Sequence, residues 1–168
     1  MNEANFDLYI YNLLREANID SEAQAVIIEA SKSQTGEAGR ADFIARVKDY
    51  ILIIEDKADR DKLLLRDDDK TISLTQKATR DYALNGALFY ARKILEQNQD
   101  SKIFAFGCAG DSKHHTMKPL FVSKELVKEL PEISTFENFS PANIELYYTR
   151  AVLELESDYE GLSQILCN

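Results

Sequence analysis

Ile51-Leu52-Ile53-Ile54 is the most constraining stretch of this chain, because it runs into Glu55-Asp56-Lys57 with no turn residue between. Successive side chains of an extended strand point to opposite faces. Four aliphatics in a row therefore need apolar cover on both faces, which makes this a central strand in a layered fold. Charges at the end of such a strand are costly unless they are solvated, paired or bound to metal. Another acid, Asp42, stands just before the preceding apolar segment.

The rest of the chain supplies the layers. Phe6, Ile10, Leu13, Leu14 and Ala17 have the spacing of an amphipathic helix. Residues 19–33 are ambiguous: Asp20 or Ser21 suits a helix cap, whereas Val26-Ile27-Ile28 suits a short strand. Strands are expected over about 41–47 and 50–55, joined at Lys48-Asp49 as a hairpin. One long helix is expected from about Gln76 to Leu95. It carries one stripe of Leu84, Ala87, Leu88, Ala91 and Leu95 and a second of Ala78, Tyr82, Asn85 and Phe89. "KIFAFGCAG" and "MKPLFVS" read as two further strands around a polar "DSKHHT" loop. Ser140-Pro141 is a helix start, and Ser157 and Glu160 have capping-box spacing. The pattern is α/β: a small mixed central sheet flanked by helices, in a single domain over 1–168. Residues 1–135 form its core and 136–168 its terminal helices. "GLSQILCN" ends without a helix-stop signal, which suggests a piece of a longer polypeptide.

At 168 residues, 45% apolar and 29% charged, the chain can bury a substantial core and is not of disordered composition. It has no secretory signal pattern and no membrane-length apolar run. Cys108 and Cys167 are too few for a disulfide framework, so they read as reduced thiols of a cytoplasmic protein. A net charge of −9 argues against tight, independent nucleic-acid binding, which draws most of its non-specific affinity from phosphate contacts.

Alternation puts Glu55 and Lys57 on one face of their strand and Asp56 on the other. Hairpin pairing around Lys48-Asp49 brings Asp42 to the same sheet end. Two carboxylates and an ammonium at one point suit metal-dependent phosphodiester hydrolysis. The carboxylates hold a hard cation through oxygen, and the lysine orients water or offsets transition-state charge. The plainer alternative is a solvated strand end with a surface ion pair worth under about 1 kcal/mol.

"GRADFIARVKDYILIIEDK" resembles the motif core of the PD-(D/E)XK nuclease superfamily, with Ala41 where a proline usually precedes the first acid. "KATRDYALNGALFYARKI" resembles the following helix in nuclease regions of type I and type IIG-like restriction–modification enzymes. The resemblance covers roughly residues 6 to 125. It implies a restriction-endonuclease-like core and a Mg²⁺-dependent DNA endonuclease, with Mn²⁺ able to substitute, that uses a metal-activated water. Asp42 and Glu55 would be metal ligands, the Asp56 backbone carbonyl a further one, and Lys57 the catalytic lysine. Many such sites also take a glutamate from the first helix, for which Glu16 is the best match and Glu29 the competitor. Gln76 and Tyr82 stand nearest to the Gln-x-x-x-Tyr motif of related nucleases but are six apart. The implied partners are double-stranded DNA and the methyltransferase and target-recognition domains that deliver the nuclease to it, with a transient dimer for double-strand cleavage. Delivery would answer the acidity, since high local concentration replaces intrinsic affinity.

Other motifs carry less. His114 and His115 lack zinc-ligand spacing and read as a solvated loop. "RDDDK" (66–70) has no calcium-loop glycine or distal glutamate. "GCAGDSK" lacks phosphate-loop spacing, and Ser112 and Ser123 have no evident histidine–aspartate framework. Two other functions remain open from sequence: a non-catalytic nuclease-fold docking module, and a stand-alone repair or junction nuclease acting as a homodimer.

Overall fold

The structure, a computed structural model, describes residues 3–28 and 39–154. Helix α1 (Glu3–Glu16) leads into β1 (Ser21–Ile28), β2 (Gly39–Val47) and β3 (Tyr50–Lys57). Helices α2 (Gln76–Asp81) and α3 (Ala83–Gln97) precede β4 (Lys102–Gly110), β5 (His115–Val122), β6 (Val127–Glu129) and α4 (Ile144–Tyr148). The six strands form one mixed sheet in the order β1-β2-β3-β4-β5-β6. All neighbours are antiparallel except β3 and β4, which run parallel and are connected across α3. The fold is α/β with helices on both faces, consistent with a restriction-endonuclease-like core.

The aliphatic run does what its pattern requires. Leu52 and Ile54 enter a core with Phe6, Ile10 and Leu14 of α1 and the aromatics Phe104, Phe106, Phe121, Phe136 and Phe139. Ile51 and Ile53 enter a second core against Leu84, Ala87, Leu88 and Ala91 of α3. The five expected stripe residues of α1 are all buried. The hairpin closes at Val47↔Tyr50 across Lys48-Asp49, with Lys48 in the left-handed region at φ 51°.

Several elements differ from expectation. Within the ambiguous segment, Ser21–Ile28 form a strand, β1. The single long helix is broken at Tyr82, whose backbone is extended (φ −119°, ψ 134°). The break has a tertiary cause: Leu84 N–H donates to the Leu63 carbonyl (2.8 Å), so α3 starts against the preceding loop. Buried Asn85 pins that loop, accepting from Leu65 N–H (3.0 Å) and donating to the carbonyls of Leu65 and Ser73 (2.8 Å each). Strand β6 was not expected. Helix α4 begins at Ile144 rather than beside Pro141, because the Ser140 carbonyl first closes a turn with Asn143 and Ile144 N–H. The Ser157–Glu160 pair, Glu29 and Cys167 lie outside the described residues.

Gly107 of β4 lets α3 approach the sheet. A Cβ there would lie 2.5 Å from Leu84 N and 2.6 Å from its Cα, both backbone atoms. Gly107→Ala is therefore expected to lower the melting temperature by roughly 5–10 °C, read by circular dichroism, because overpacking against backbone has no cheap relief.

Candidate active site

The site forms where β2 and β3 stop pairing as a regular ladder. Their register runs from Val47↔Tyr50 to Phe43↔Ile54, and beyond it side chains take over. Asp42 N–H donates to Glu55 Oε1 (2.9 Å), and Asp56 N–H donates to Asp42 Oδ2 (2.8 Å). The other oxygen, Asp42 Oδ1, accepts from Gln24 Nε2 of β1 (3.2 Å). Asp42 is half-buried, Glu55 only 8% exposed and Asp56 fully buried. Lys57, two residues beyond Glu55, is half-buried at the strand end.

Alternation divides the triplet between faces. Glu55 lies on the α3 side, where a Cβ on Gly86 would come within 3.6 Å of its Cγ. Asp56 lies on the α1 side, and its carboxylate and those of Asp42 and Asp7 place one oxygen each within 4.8 Å of one another. Asp42 thus stands at the strand opening with acids on both sides of the sheet.

Such crowding has an electrostatic consequence. Burial pushes the Glu55 carboxyl well above its ordinary range, and the neighbouring Asp42 charge adds to this more than Lys57 offsets it. Asp42 is raised as well, chiefly by burial, then by Asp7, against the lowering effect of Asp56 N–H and Gln24. Tyr90 of α3 is pushed up to about 12, first by burial and then by the charges of Glu55 and Asp42. Glu55 and Asp56 are buried while Asp7, Asp42 and Lys57 are half-buried, so four acids and one lysine meet where the buried strand reaches water. Oxygen donors of this kind match a hard divalent ion such as Mg²⁺.

The expected residues divide accordingly. Asp42, Glu55 and Asp56 are brought together, with Lys57 beside them. Glu16 is exposed in the last turn of α1, about 13 Å along the helix from Asp7. Asp7, not Glu16, is the α1 acid next to Asp42. It sits at i, i+3, i+7 with buried Ile10 and Leu14, so an acid inside an apolar stripe was its signal in the sequence. Gln76 is exposed at the start of α2, and the Tyr82 ring lies under Lys62 Nζ at 4.9 Å. Tyr90, one turn beyond Gly86, is the α3 tyrosine that feels the carboxylates. Gln24 was also missed: it belongs to the segment whose structure was ambiguous.

The weaker motifs fall outside this cluster. His114 is exposed in its loop, whereas His115 begins β5, half-buried, with its ring 5.2 Å from Tyr9 and its Nδ1 2.8 Å from the Asp111 carbonyl. Residues 66–70 form an exposed turn in which Asp69 accepts from Thr71 N–H and Oγ1–H. Cys108 is fully buried beside Asp56, and burial pushes its thiol well up. No helix among the described residues is long and apolar enough to cross a membrane.

No family model matches the chain, and no solved structure matches it. It is 42% identical over 137 residues to RM.BcgI of Heyndrickxia coagulans, a type II restriction enzyme and methyltransferase. That match takes in 80% of this chain but 21% of the relative, so the chain spans about a fifth of the length of the protein it matches. Four-fifths of the chain is thus similar to part of a restriction–modification enzyme.

Proposed function

We propose that the chain is the nuclease region of a restriction–modification enzyme, hydrolysing DNA phosphodiesters with Mg²⁺, for which Mn²⁺ can substitute. The observation that carries this reading is the convergence of Asp42 and Glu55 at the opening of β2 from β3, with Lys57 following on the same strand. The PD-(D/E)XK assignment rests on those residues and their strand order. The relative's name supports the restriction–modification context.

Asp42 and Glu55 would hold the cation, with the Asp56 carbonyl as a further ligand and Asp7 as a supporting acid. When bound, a divalent ion there supplies Lewis acidity towards a phosphoryl oxygen and lowers the pKa of a water. Glu55 is held rigidly by the central strand and by Asp42 N–H, so little reorganisation is needed to present its carboxylate. Lys57 Nζ, at the wet end of the buried strand, orients the attacking water or donates to the phosphate as its negative charge grows. Gly86 of α3 faces Glu55 at ordinary packing distance, while the close contact a Cβ there would make is with the Thr79 carbonyl at 2.8 Å.

With a net charge of −9, the chain relies on other modules to bring it to duplex DNA. Methyltransferase and target-recognition domains are the delivery partners in this reading, and double-strand cleavage calls for a transient dimer. Calorimetric titration of Mn²⁺ into wild type and Glu55→Ala tests the site itself. Wild type is expected to give a saturable heat that Glu55→Ala loses, with affinity at least tenfold weaker. Equal heats would remove the metal site and leave a nuclease-fold docking module instead.

A further inference from the structure

Gln24 has an unusual backbone for a strand residue. Its φ is 55°, in the left-handed region that a non-glycine residue rarely adopts. The β1–β2 register pairs Ala23 with Phe43 and Ala25 with Ala41, so Gln24 falls opposite Asp42 at the row where regular pairing lapses. There its side-chain amide donates to Asp42 Oδ1 (3.2 Å), and its own carbonyl accepts from Arg40 Nη1 (3.1 Å). Strained conformations persist where the surroundings over-determine them, and they cluster at functional sites.

We propose that Gln24 is a positioning residue for Asp42, fixing the plane of that carboxylate for the divalent cation; the inference rests on the cation reading above. Asp42 Oδ2 is already committed to Asp56 N–H at 2.8 Å. One bond alone leaves the carboxylate free to swing about that contact. The second bond, from the neighbouring edge strand, stops the rotation and aims the remaining lone pairs. The kinked backbone is what brings a side chain from β1 to this point, where a regular strand residue would instead pair through its main chain.

Gln24→Gly separates positioning from stability. Glycine tolerates the left-handed conformation, and residue 24 is exposed, so the melting temperature should hold or rise by up to about 3 °C. Mn²⁺ affinity, read by calorimetry, should nevertheless fall about fivefold to tenfold. A second readout needs no variant at residue 24: saturating Mg²⁺ should shift the Gln24 side-chain amide resonances in wild type, and Asp42→Asn should abolish that shift. Wild-type Mn²⁺ affinity in Gln24→Gly, or a motionless Gln24 amide in Mg²⁺-saturated protein, overturns the inference and leaves the cation site standing. Absence of any heat in wild type overturns the cation reading, and this inference with it.

Discussion

Lys57→Met is expected to reduce plasmid cleavage by about a thousandfold or more when the chain is fused to a sequence-independent DNA-binding module and supplied with Mn²⁺. Removing a group that stabilises charge only in the transition state costs rate on this scale. Fusion matters because a tethered module replaces the affinity that an acidic chain lacks. The substitution leaves Asp42 and Glu55 in place, so Mn²⁺ binding should persist within a few-fold of wild type. Loss of both together would mean that Lys57 holds the site's structure. Undiminished cleavage would remove it from the chemistry.

Glu55→Gln should stabilise the cation-free chain and abolish its response to cation. Burial raises the folded-state pKa of Glu55 well above its ordinary value. Between the unfolded and folded pKa values the native state therefore binds more protons, and stability falls as pH rises through that window. Below the ordinary glutamate range both states are protonated and no penalty remains. Above the raised pKa the full cost of a buried carboxylate is present. Glutamine removes that cost, so the variant's melting temperature should exceed wild type by several degrees near pH 8, at about 2–4 °C for each kcal/mol relieved. The advantage should shrink towards zero at acid pH. Saturating Mg²⁺ should raise the melting temperature of wild type by mass action and leave the variant unchanged. Thermal scans at four pH values, with and without Mg²⁺, check both halves. A variant less stable than wild type at pH 8 without cation would show that Glu55 is not the strained group the geometry makes it.

What the sequence made legible was local. Asp42 and Glu55 are thirteen residues apart across a two-residue turn, and strand alternation alone places Glu55 with Lys57. The stripe of α1 and the aliphatic run of β3 could likewise be read from periodicity. Features set by distant chain were not legible. "ATRDYALNG" contains no proline and its one glycine, Gly86, lies a full turn beyond Tyr82, yet the helix breaks at Tyr82 because Leu63 and the loop held by Asn85 occupy the start of α3. The resemblance pointed to Glu16, with Glu29 as competitor, whereas which α1 acid reaches Asp42 depends on the face that meets the sheet, and that face carries Asp7. Val127-Lys128-Glu129 is too short and too polar to announce a strand. Gln24 could not be found while its segment remained undecided between helix and strand.

The two-residue turn at Lys48-Asp49 also bears on how this chain can vary. Side chains alternate with a period of two, so one residue added between Asp42 and Glu55 would turn one acid to the opposite face and part the pair. The connection from Ala58 to Thr75 carries no such parity, and a longer loop there costs only slowly increasing closure entropy. Length change should therefore be purged from the fourteen positions 42–55 and accumulate immediately downstream of Lys57, even where residue identities drift freely in both.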